Sequence, residues 1–287
     1  AAKAIDDVFY YNSLIYLVKA DAEGTVLWEK TFENEQQGRT LSVTEGKDGN
    51  YYLLGIKEKT RENFVFVLSP SGDLLSRWAF QEPPYSGSIP YGTVSHISAT
   101  RDGKLLLYGT SVCRMTLSGE VRWVRSFSNP PNEYKLFSSM AEDSEGNYIL
   151  TGESQSTLSG TLKRSIPFMV IDSSSSISTF TQVATVANNE AFASHIYEQG
   201  PNDYILTGTL MTADNSHFIL LTNVTKTGAF KWSKTFDYSN GFAVINYGGA
   251  VSRFSNGSYV ATGTSYRLSE GNPEYRKTVL LKWRKPD

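Results

Sequence analysis

The sequence predicts an all-β chain built from repeated four-stranded antiparallel sheets. Three observations indicate this: a turn-and-strand element recurs, a glycine-and-aromatic element alternates with it, and no sustained helical periodicity interrupts them. Aromatic residues make up 13% of the chain, and they suit pleated, half-buried surfaces better than helices. The chain is therefore expected to consist of strands and turns.

The first element is a tight turn that leads into an apolar strand. Its first copy runs from Asp48 to Gly55 and reads Asp-Gly-Asn-Tyr-Tyr-Leu-Leu-Gly. Five copies end at glycines that are 54, 43, 56 and 55 residues apart, namely Gly55, Gly109, Gly152, Gly208 and Gly263. Asp-Gly and Asn-Gly pairs tolerate the positive φ angles that two-residue hairpin turns require. An apolar residue six positions before each turn position marks a preceding strand, so each copy predicts a hairpin of strands A and B.

The second element is an apolar strand, a glycine turn and a strand that carries an aromatic residue. A tryptophan follows the glycine by four residues in three copies: Gly24 and Trp28, Gly119 and Trp123, Gly228 and Trp232. The spacing is six residues between Gly72 and Trp78, and Ser176 with Phe180 stands in the fourth copy. Each copy predicts a second hairpin, of strands C and D.

Alternating A–B and C–D hairpins predict a repeated four-stranded meander. Such sheets, called blades, hide both faces by packing around an axis, which predicts a single β-propeller domain over residues 1–287. A β-sandwich is the competing fold, but it needs no repeat of about fifty residues. Five A–B hairpins predict five blades, with six as the alternative. The N-terminal hairpin at 14–32 is expected to complete the last A–B pair at 247–265, which would close the ring by joining the N- and C-terminal strands.

The Gly-x-x-x-Trp element resembles the tryptophan-docking repeat of pyrroloquinoline-quinone-type (PQQ-like) and related WD40-like propellers. That resemblance implies that each tryptophan packs between neighbouring blades. The Asp-Gly-x-Tyr element also resembles the repeats of uncharacterised extracytoplasmic propeller lipoproteins of Bacteroidota. This second resemblance implies a place in the periplasm or at the outer membrane or cell surface of a Gram-negative bacterium, with a lipid anchor upstream of this chain.

Composition and charge restrict the function classes. A formal net charge of -2 provides no basic surplus for phosphate backbones, so nucleic acid is not an expected partner. The longest apolar runs are too short for a transmembrane segment. The single cysteine, Cys113, excludes an internal disulfide and is expected to be a small buried apolar side chain. The sequence has no motif for a phosphate, a metal or a cofactor, so no cofactor and no metal is predicted.

The B–C and D–A connections predict one face rich in long loops, whereas the short A–B and C–D turns share the other face. Exposed aromatic side chains on such loops can stack on sugar rings or anchor a protein partner. The candidate binding residues are Tyr85, Tyr91, Tyr134, Tyr238, Phe242 and Tyr247. The alternative is that these rings pack onto the blade edges.

Candidate catalytic groups are sparse. His96 and His195 occupy the same place in strand A, seven residues before the turn position, where they would line the axial channel. Two imidazoles there could bind a metal or transfer protons, whereas a single strand histidine is more often a structural hydrogen-bonding residue. Three glutamates recur four residues before the turn position, and glycoside hydrolysis needs paired carboxylates. Repeat symmetry also accounts for Glu45, Glu142 and Glu198, so no catalytic residue is predicted.

The sequence favours a non-enzymatic extracytoplasmic binding or scaffold propeller. It would dock a protein partner or a glycan on its loop-rich face, as a lipoprotein subunit of an outer-membrane complex. The alternative is a propeller hydrolase or lyase acting on polysaccharide, which would use acids at the channel mouth or the histidine pair. A quinone-dependent dehydrogenase is disfavoured, because such enzymes need more blades and a dedicated cofactor and calcium site.

Overall fold

The computed structural model consists of strands and turns. It describes residues 2–5, 8–11, 15–32, 38–57, 62–80, 94–127, 133–157, 162–184, 189–237, 244–254, 258–269 and 272–283. Within these ranges the all-β prediction is confirmed, since every assigned element is a strand. No helix in the same ranges is long and apolar enough to cross a membrane.

Antiparallel strands form two small sheets, four four-stranded sheets and one three-stranded sheet. The small sheets pair β1 (Ala2–Ile5) with β2 (Val8–Tyr11) and β3 (Ile15–Ala20) with β4 (Val26–Phe32). The first four-stranded sheet contains β5 (Gly38–Glu45), β6 (Tyr51–Lys57), β7 (Glu62–Leu68) and β8 (Leu74–Phe80). The second contains β9 (Val94–Ala99), β10 (Leu105–Gly109), β11 (Ser111–Met115) and β12 (Val121–Ser126).

The later sheets follow the same order. The third four-stranded sheet contains β13 (Glu133–Glu142), β14 (Tyr148–Ser156), β15 (Lys163–Ile171) and β16 (Ile177–Val183). The fourth contains β17 (Glu190–Gly200), β18 (Asp203–Met211), β19 (His217–Thr225) and β20 (Phe230–Phe236). The three-stranded sheet contains β21 (Val244–Arg253), β22 (Tyr259–Ser269) and β23 (Asn272–Trp283). All five predicted A–B hairpins and all five predicted C–D hairpins are therefore confirmed.

Contacts between residues divide the chain into two compact units, Ala1–Ser126 and Phe127–Asp287. Unit 1 contains β1–β12 and unit 2 contains β13–β23. The single domain over residues 1–287 stays a prediction.

The expected completion of the last sheet is wrong. Strand β23, and not the N-terminal hairpin, lies beside β22, with pairs that run from Tyr259 and Trp283 to Ser269 and Asn272. The reason is that β22 and β23 are joined by residues 270–271 alone, so their pairing closes a very short loop and costs little chain entropy. Strands β3 and β4 instead form a sheet of two strands. The repeat thus occupies six sheets in the described residues, and a count of five blades is not confirmed.

Most hairpin turns have three-residue loops where two-residue turns were expected, whereas the fourth A–B turn has a two-residue loop, Pro201 and Asn202, between the paired residues Gly200 and Asp203. At the first Asp-Gly turn, Gly49 N donates to the carbonyl of Gly46 at 3.0 Å, and Gly46 N donates to the carbonyl of Asn50 at 2.8 Å. Only Gly49 has a positive φ, of 79°, as in a type I turn closed by a bulge. In the fourth C–D turn Ser175, and not Ser176, takes this position with a φ of 74°.

The central strands of the four-stranded sheets are buried on both faces over most of their length. Residues 52–56 of β6 are all buried, whereas strand β8 on the outside of the same sheet is mostly exposed. Strands β3 and β4 cover one face of this sheet in unit 1, where the rings of Phe32 and Phe66 are 5.3 Å apart. The β9–β12 sheet covers the other face, and its residues Ile97, Leu107 and Cys113 join a single apolar cluster there. Each four-stranded sheet therefore depends on its neighbours.

Tryptophans of the D strands in unit 1 lie on glycines of the next sheet. Trp28 Nε1 donates to the carbonyl of Pro70 at 3.0 Å, and its ring lies against Gly72. Trp78 repeats this arrangement one sheet further along, where a side-chain carbon placed on Gly119 would lie 2.8 Å from the ring. The glycine thus has two functions, since it adopts a positive φ and leaves space for the ring.

A buried ion pair joins the third and fourth four-stranded sheets in unit 2. Lys226 Nζ lies 2.8 Å from Oδ2 of Asp143 and 2.8 Å from Oε2 of Glu145. Burial alone would raise the pKa of Asp143, but hydrogen bonds from Lys226, Asn147 and the backbone outweigh this and hold it below its usual range. Asp143 is almost completely buried, whereas Glu145 is exposed.

Replacing Gly119 by Ala should destabilise unit 1 more than replacing Gly49 by Ala. Both glycines have a positive φ, so each substitution costs about 1–2 kcal/mol of backbone strain. A side-chain carbon meets nothing within 4 Å at Gly49, whereas at Gly119 it meets Trp78, which adds about 1–3 kcal/mol of overpacking. Urea unfolding followed by tryptophan fluorescence measures both variants, and equal losses would contradict the docking of Trp78.

Replacing Asp143 by Asn should lower the free energy of unfolding at neutral pH by about 1–3 kcal/mol, because Lys226 loses its buried partner. The depressed pKa of Asp143 means that its contribution is present above the ordinary value of 3.8 and is lost as the pH falls through the folded-state value. Denaturant unfolding between about pH 7 and pH 2 should therefore show a flatter acid limb in the variant. The matched control is Glu145→Gln, which removes the exposed partner and should change stability by under about 0.5 kcal/mol.

Candidate binding site

Two of the six predicted binding residues lie in the described ranges. Tyr134 stands at the start of β13 and Tyr247 near the start of β21. The A strands of unit 2 begin where its B strands end and its C strands begin, and we call this the loop-rich end of unit 2. The remaining four candidates lie outside the described residues: Tyr85, Tyr91, Tyr238 and Phe242.

Tyr247 is the centre of a group of rings at the loop-rich end. Its ring centroid lies 5.7 Å from that of Tyr266, 6.1 Å from that of His217 and 6.3 Å from that of Phe192. Tyr266 and Tyr247 belong to the three-stranded sheet, whereas Phe192 and His217 belong to the β17–β20 sheet. We call these four residues the Tyr247 cluster. The Tyr247 side chain is 37% exposed, and the other three are half-buried.

Asn246, the residue before Tyr247, has a side-chain oxygen without a hydrogen bond among the described residues. Its Nδ2 donates to the backbone carbonyl of His217 at 2.9 Å, and this bond fixes the orientation of the amide. The residue is completely buried, and no described residue donates to its Oδ1. Nδ1 of His217 is buried and lacks a partner within the same ranges. A buried acceptor without a donor costs about 1–3 kcal/mol, so the site has capacity for a further donor.

Arg164 adds a residue of a third sheet to the loop-rich end of unit 2. It starts β15 together with Lys163, and its Nη1 lies 3.5 Å from Sδ of Met211, the residue that pairs with His217 across β18 and β19. Arg164 Nε lies 3.1 Å from Oε1 of Glu153, which also accepts from Nε2 of Gln155 at 2.8 Å. Burial first, and the Arg164 charge second, lower the pKa of His217. His217 is therefore neutral at pH 7.

The arrangement is suited to binding an uncharged polar ligand that has an apolar face. An exposed ring offers a surface for stacking, while neutral amide and imidazole groups offer hydrogen bonds. Among the described residues, no group of three or more His, Cys, Asp or Glu side chains is placed to hold a metal ion.

Sequence reasoning found Tyr247 but missed its neighbours Asn246, His217 and Arg164. Tyr247 belongs to an aromatic-rich segment before an A strand, which is a signal that the sequence carries. His217 and Arg164 each stand at the start of a C strand, where the sequence resembles any other polar strand end. In a four-stranded meander the C strands begin at the same end as the A strands. This relation would have indicated that residues at C-strand starts lie near Tyr247.

His195 takes part in a hydrogen bond between neighbouring A strands. Val251 N donates to its Nδ1 at 3.4 Å, so the neutral ring carries its proton on Nε2. Ser139, at the equivalent place in the preceding A strand, accepts from Ile196 N at 3.1 Å. This position thus links adjacent sheets of unit 2 with either side chain.

His96 occupies the equivalent place in unit 1. It stacks on Tyr108 with centroids 5.2 Å apart, and its Nδ1 lies 2.9 Å from Oγ of Ser95. Burial lowers the pKa of both His96 and His195. A functional pair of the two histidines stays a prediction.

Comparisons with known proteins concern the fold alone. No family model matches the chain, and no curated protein matches it. A protein of unknown function from Bacteroides caccae has a similar structure, with a TM-score of 0.52 and 13% identity, over 81% of this chain and 78% of that one.

Two further solved structures are more distantly similar to this chain. An endo-arabinase from Bacteroides thetaiotaomicron has a TM-score of 0.43 and 13% identity, over 84% of this chain and 92% of that one. The extracellular domains 1–2 of Drosophila semaphorin 1b have a TM-score of 0.46 and 10% identity, over 86% of this chain and 54% of that one. Likenesses this distant do not bear on the activity of this chain.

Replacing His195 by Ala should lower the free energy of unfolding by about 1–2 kcal/mol, because Val251 N loses its acceptor. His195→Asn is the matched variant, since its oxygen can accept the same bond but does not titrate. The pKa of His195 in the folded chain lies below the ordinary value of 6.5. Its contribution to stability is therefore present above pH 6.5 and is lost as the pH falls below that value. Thermal unfolding between about pH 7.5 and pH 5 should show a smaller loss in His195→Asn than in the wild type. Identical pH profiles would contradict this role of His195.

Proposed function

We propose that this chain is a non-enzymatic extracytoplasmic binding or scaffold protein that docks a protein partner or a glycan at the loop-rich end of unit 2. The single observation that supports this most is the convergence of three consecutive sheets on His217. Arg164 comes from the third four-stranded sheet, His217 from the fourth and Tyr247 from the three-stranded sheet. Such a concentration of rings and amides at a loop-bearing end is typical of binding surfaces.

The groups near Tyr247 favour binding over catalysis. Glu153, the carboxylate beside Arg164, is paired with that residue and accepts from Gln155. A general acid or base needs access to substrate, and the carboxylate of Glu153 is already engaged by Arg164 and Gln155. Fold alone does not decide function, so this proposal depends on the site.

We also propose that the repeated sheets close into a ring and that the chain lies outside the cytoplasm. The repeated sheets would close around an axis as a propeller of five or six blades, because each one needs a neighbour on both faces. The tryptophan-on-glycine contacts at Trp28 and Trp78 support the resemblance to PQQ-like and WD40-like repeats. The resemblance to extracytoplasmic lipoproteins of Bacteroidota supports a place at the outer membrane, with a lipid anchor upstream of the chain.

A photoreactive residue tests the docking surface directly. Benzoylphenylalanine in place of Tyr247 should give a covalent adduct of higher mass in the native host after irradiation, because the docked protein or glycan covers this exposed ring. The matched control is the same residue in place of Phe254, which is also exposed but follows β21 at its opposite end. Gel mobility and mass spectrometry of the affinity-purified chain measure both. Adducts at neither position, or equally at both, would overturn the proposed surface.

The hydrolase and lyase alternatives are tested with the purified chain. Incubation with neutral and acidic polysaccharides should release no reducing ends and no unsaturated products above the protein-free control. Product formation that is lost in the Glu153→Gln variant would replace the binding role with an enzymatic one.

A further inference from the structure

We propose that the Tyr247 cluster binds a neutral, hydroxyl-rich sugar unit of a glycan. This inference rests on the proposed function and commits it to one ligand class. It excludes acidic glycans and a protein partner as the direct occupant of this cluster.

The ring of Tyr247 supplies the surface for the apolar face of a sugar. It is exposed on one side and held on the other by contacts at nearly right angles to Tyr266 and His217, with interplanar angles of 85° and 78°. Rings that are held in this way lose little freedom on binding, so a ligand that stacks on Tyr247 meets a prepared surface. A sugar ring presents axial C–H groups to such a face.

Asn246 has a side-chain oxygen that can accept a further hydrogen bond. Its Oδ1 is fixed by the bond from Nδ2 to the carbonyl of His217, and no described residue donates to it. Asn246 is completely buried, so a ligand hydroxyl could reach this oxygen only through a water molecule. A hydroxyl group can also serve Nδ1 of His217, since it both donates and accepts.

The ion pairs among the described residues at this end favour a neutral ligand. Arg164 is paired with Glu153 at 3.1 Å, and Lys135 is paired with Glu133 at 3.1 Å. The connecting segments of the sequence at this end contain no basic residue, and their charged residues are Asp214 and Glu270; the segments are 128–132, 158–161, 185–188, 212–216, 238–243 and 270–271. An acidic glycan needs an unpaired cation, because a carboxylate or sulfate gains little from a cation that is already paired.

Affinity gel electrophoresis of the full chain tests this inference. The probes are arabinan, galactan, xylan, mannan and β-glucan as neutral polymers, and polygalacturonate and heparin as acidic ones. At least one neutral polymer should retard the wild type, and neither acidic polymer should. Tyr247→Ala should weaken the retardation at least about tenfold in apparent Kd, and Tyr247→Phe should weaken it less because the ring is kept.

The matched control is Phe254→Ala, which removes an exposed ring of the same sheet at its opposite end and should leave retardation unchanged. Circular dichroism and urea unfolding should show that the variants remain folded. Retardation by no neutral polymer, retardation by the acidic polymers, or equal loss in Tyr247→Ala and Phe254→Ala overturns the inference. A protein adduct from the photoreactive residue at Tyr247, without retardation by any polymer, would overturn the sugar inference alone. The absence of any adduct would overturn the proposed docking surface itself.

Discussion

The structure depends on one constraint, which is that the middle strands of each four-stranded sheet are buried on both faces. Strand β10 illustrates it, because all five of its residues from Leu105 to Gly109 are buried. A sheet of this kind cannot keep one face in water, so each repeat is stable only between neighbours. The tryptophan-on-glycine contacts, the bond from Val251 to His195 and the ion pair of Lys226 with Asp143 all lie between adjacent sheets, and they fix how those sheets stack.

Much of the fold could be predicted because short local sequence patterns indicate its turns and strands. The turn at Gly49 and the apolar strand after it carry signals within eight residues, and the same holds at Gly103 and Gly146. Turn type was wrong because Asp-Gly serves both two-residue and three-residue loops, and only the backbone bonds distinguish them. The pairing of β22 with β23 was missed because several apolar strands could fill that place, and the choice depends on which connection is shortest.

The candidate site was predictable only in part, for a different physical reason. Tyr247 stands out in the sequence as an aromatic residue next to a strand start. The role of Asn246 depends on a side-chain bond to the carbonyl of His217, 29 residues earlier, and no residue pattern records a bond to a backbone atom. Arg164 reaches Met211 across 47 residues, so its part in the site follows from sheet stacking alone.

Cys113 has a consequence for where this chain can function. Its thiol is buried in an apolar cluster of unit 1, and that burial raises its pKa to about 11. Such a thiol is almost entirely protonated at neutral pH and is a poor nucleophile toward disulfides and peroxides. The fold is held by packing and hydrogen bonds and contains no cystine. It should therefore have the same stability in a reducing cytosol and in an oxidising envelope, so that export across a redox boundary requires no thiol chemistry.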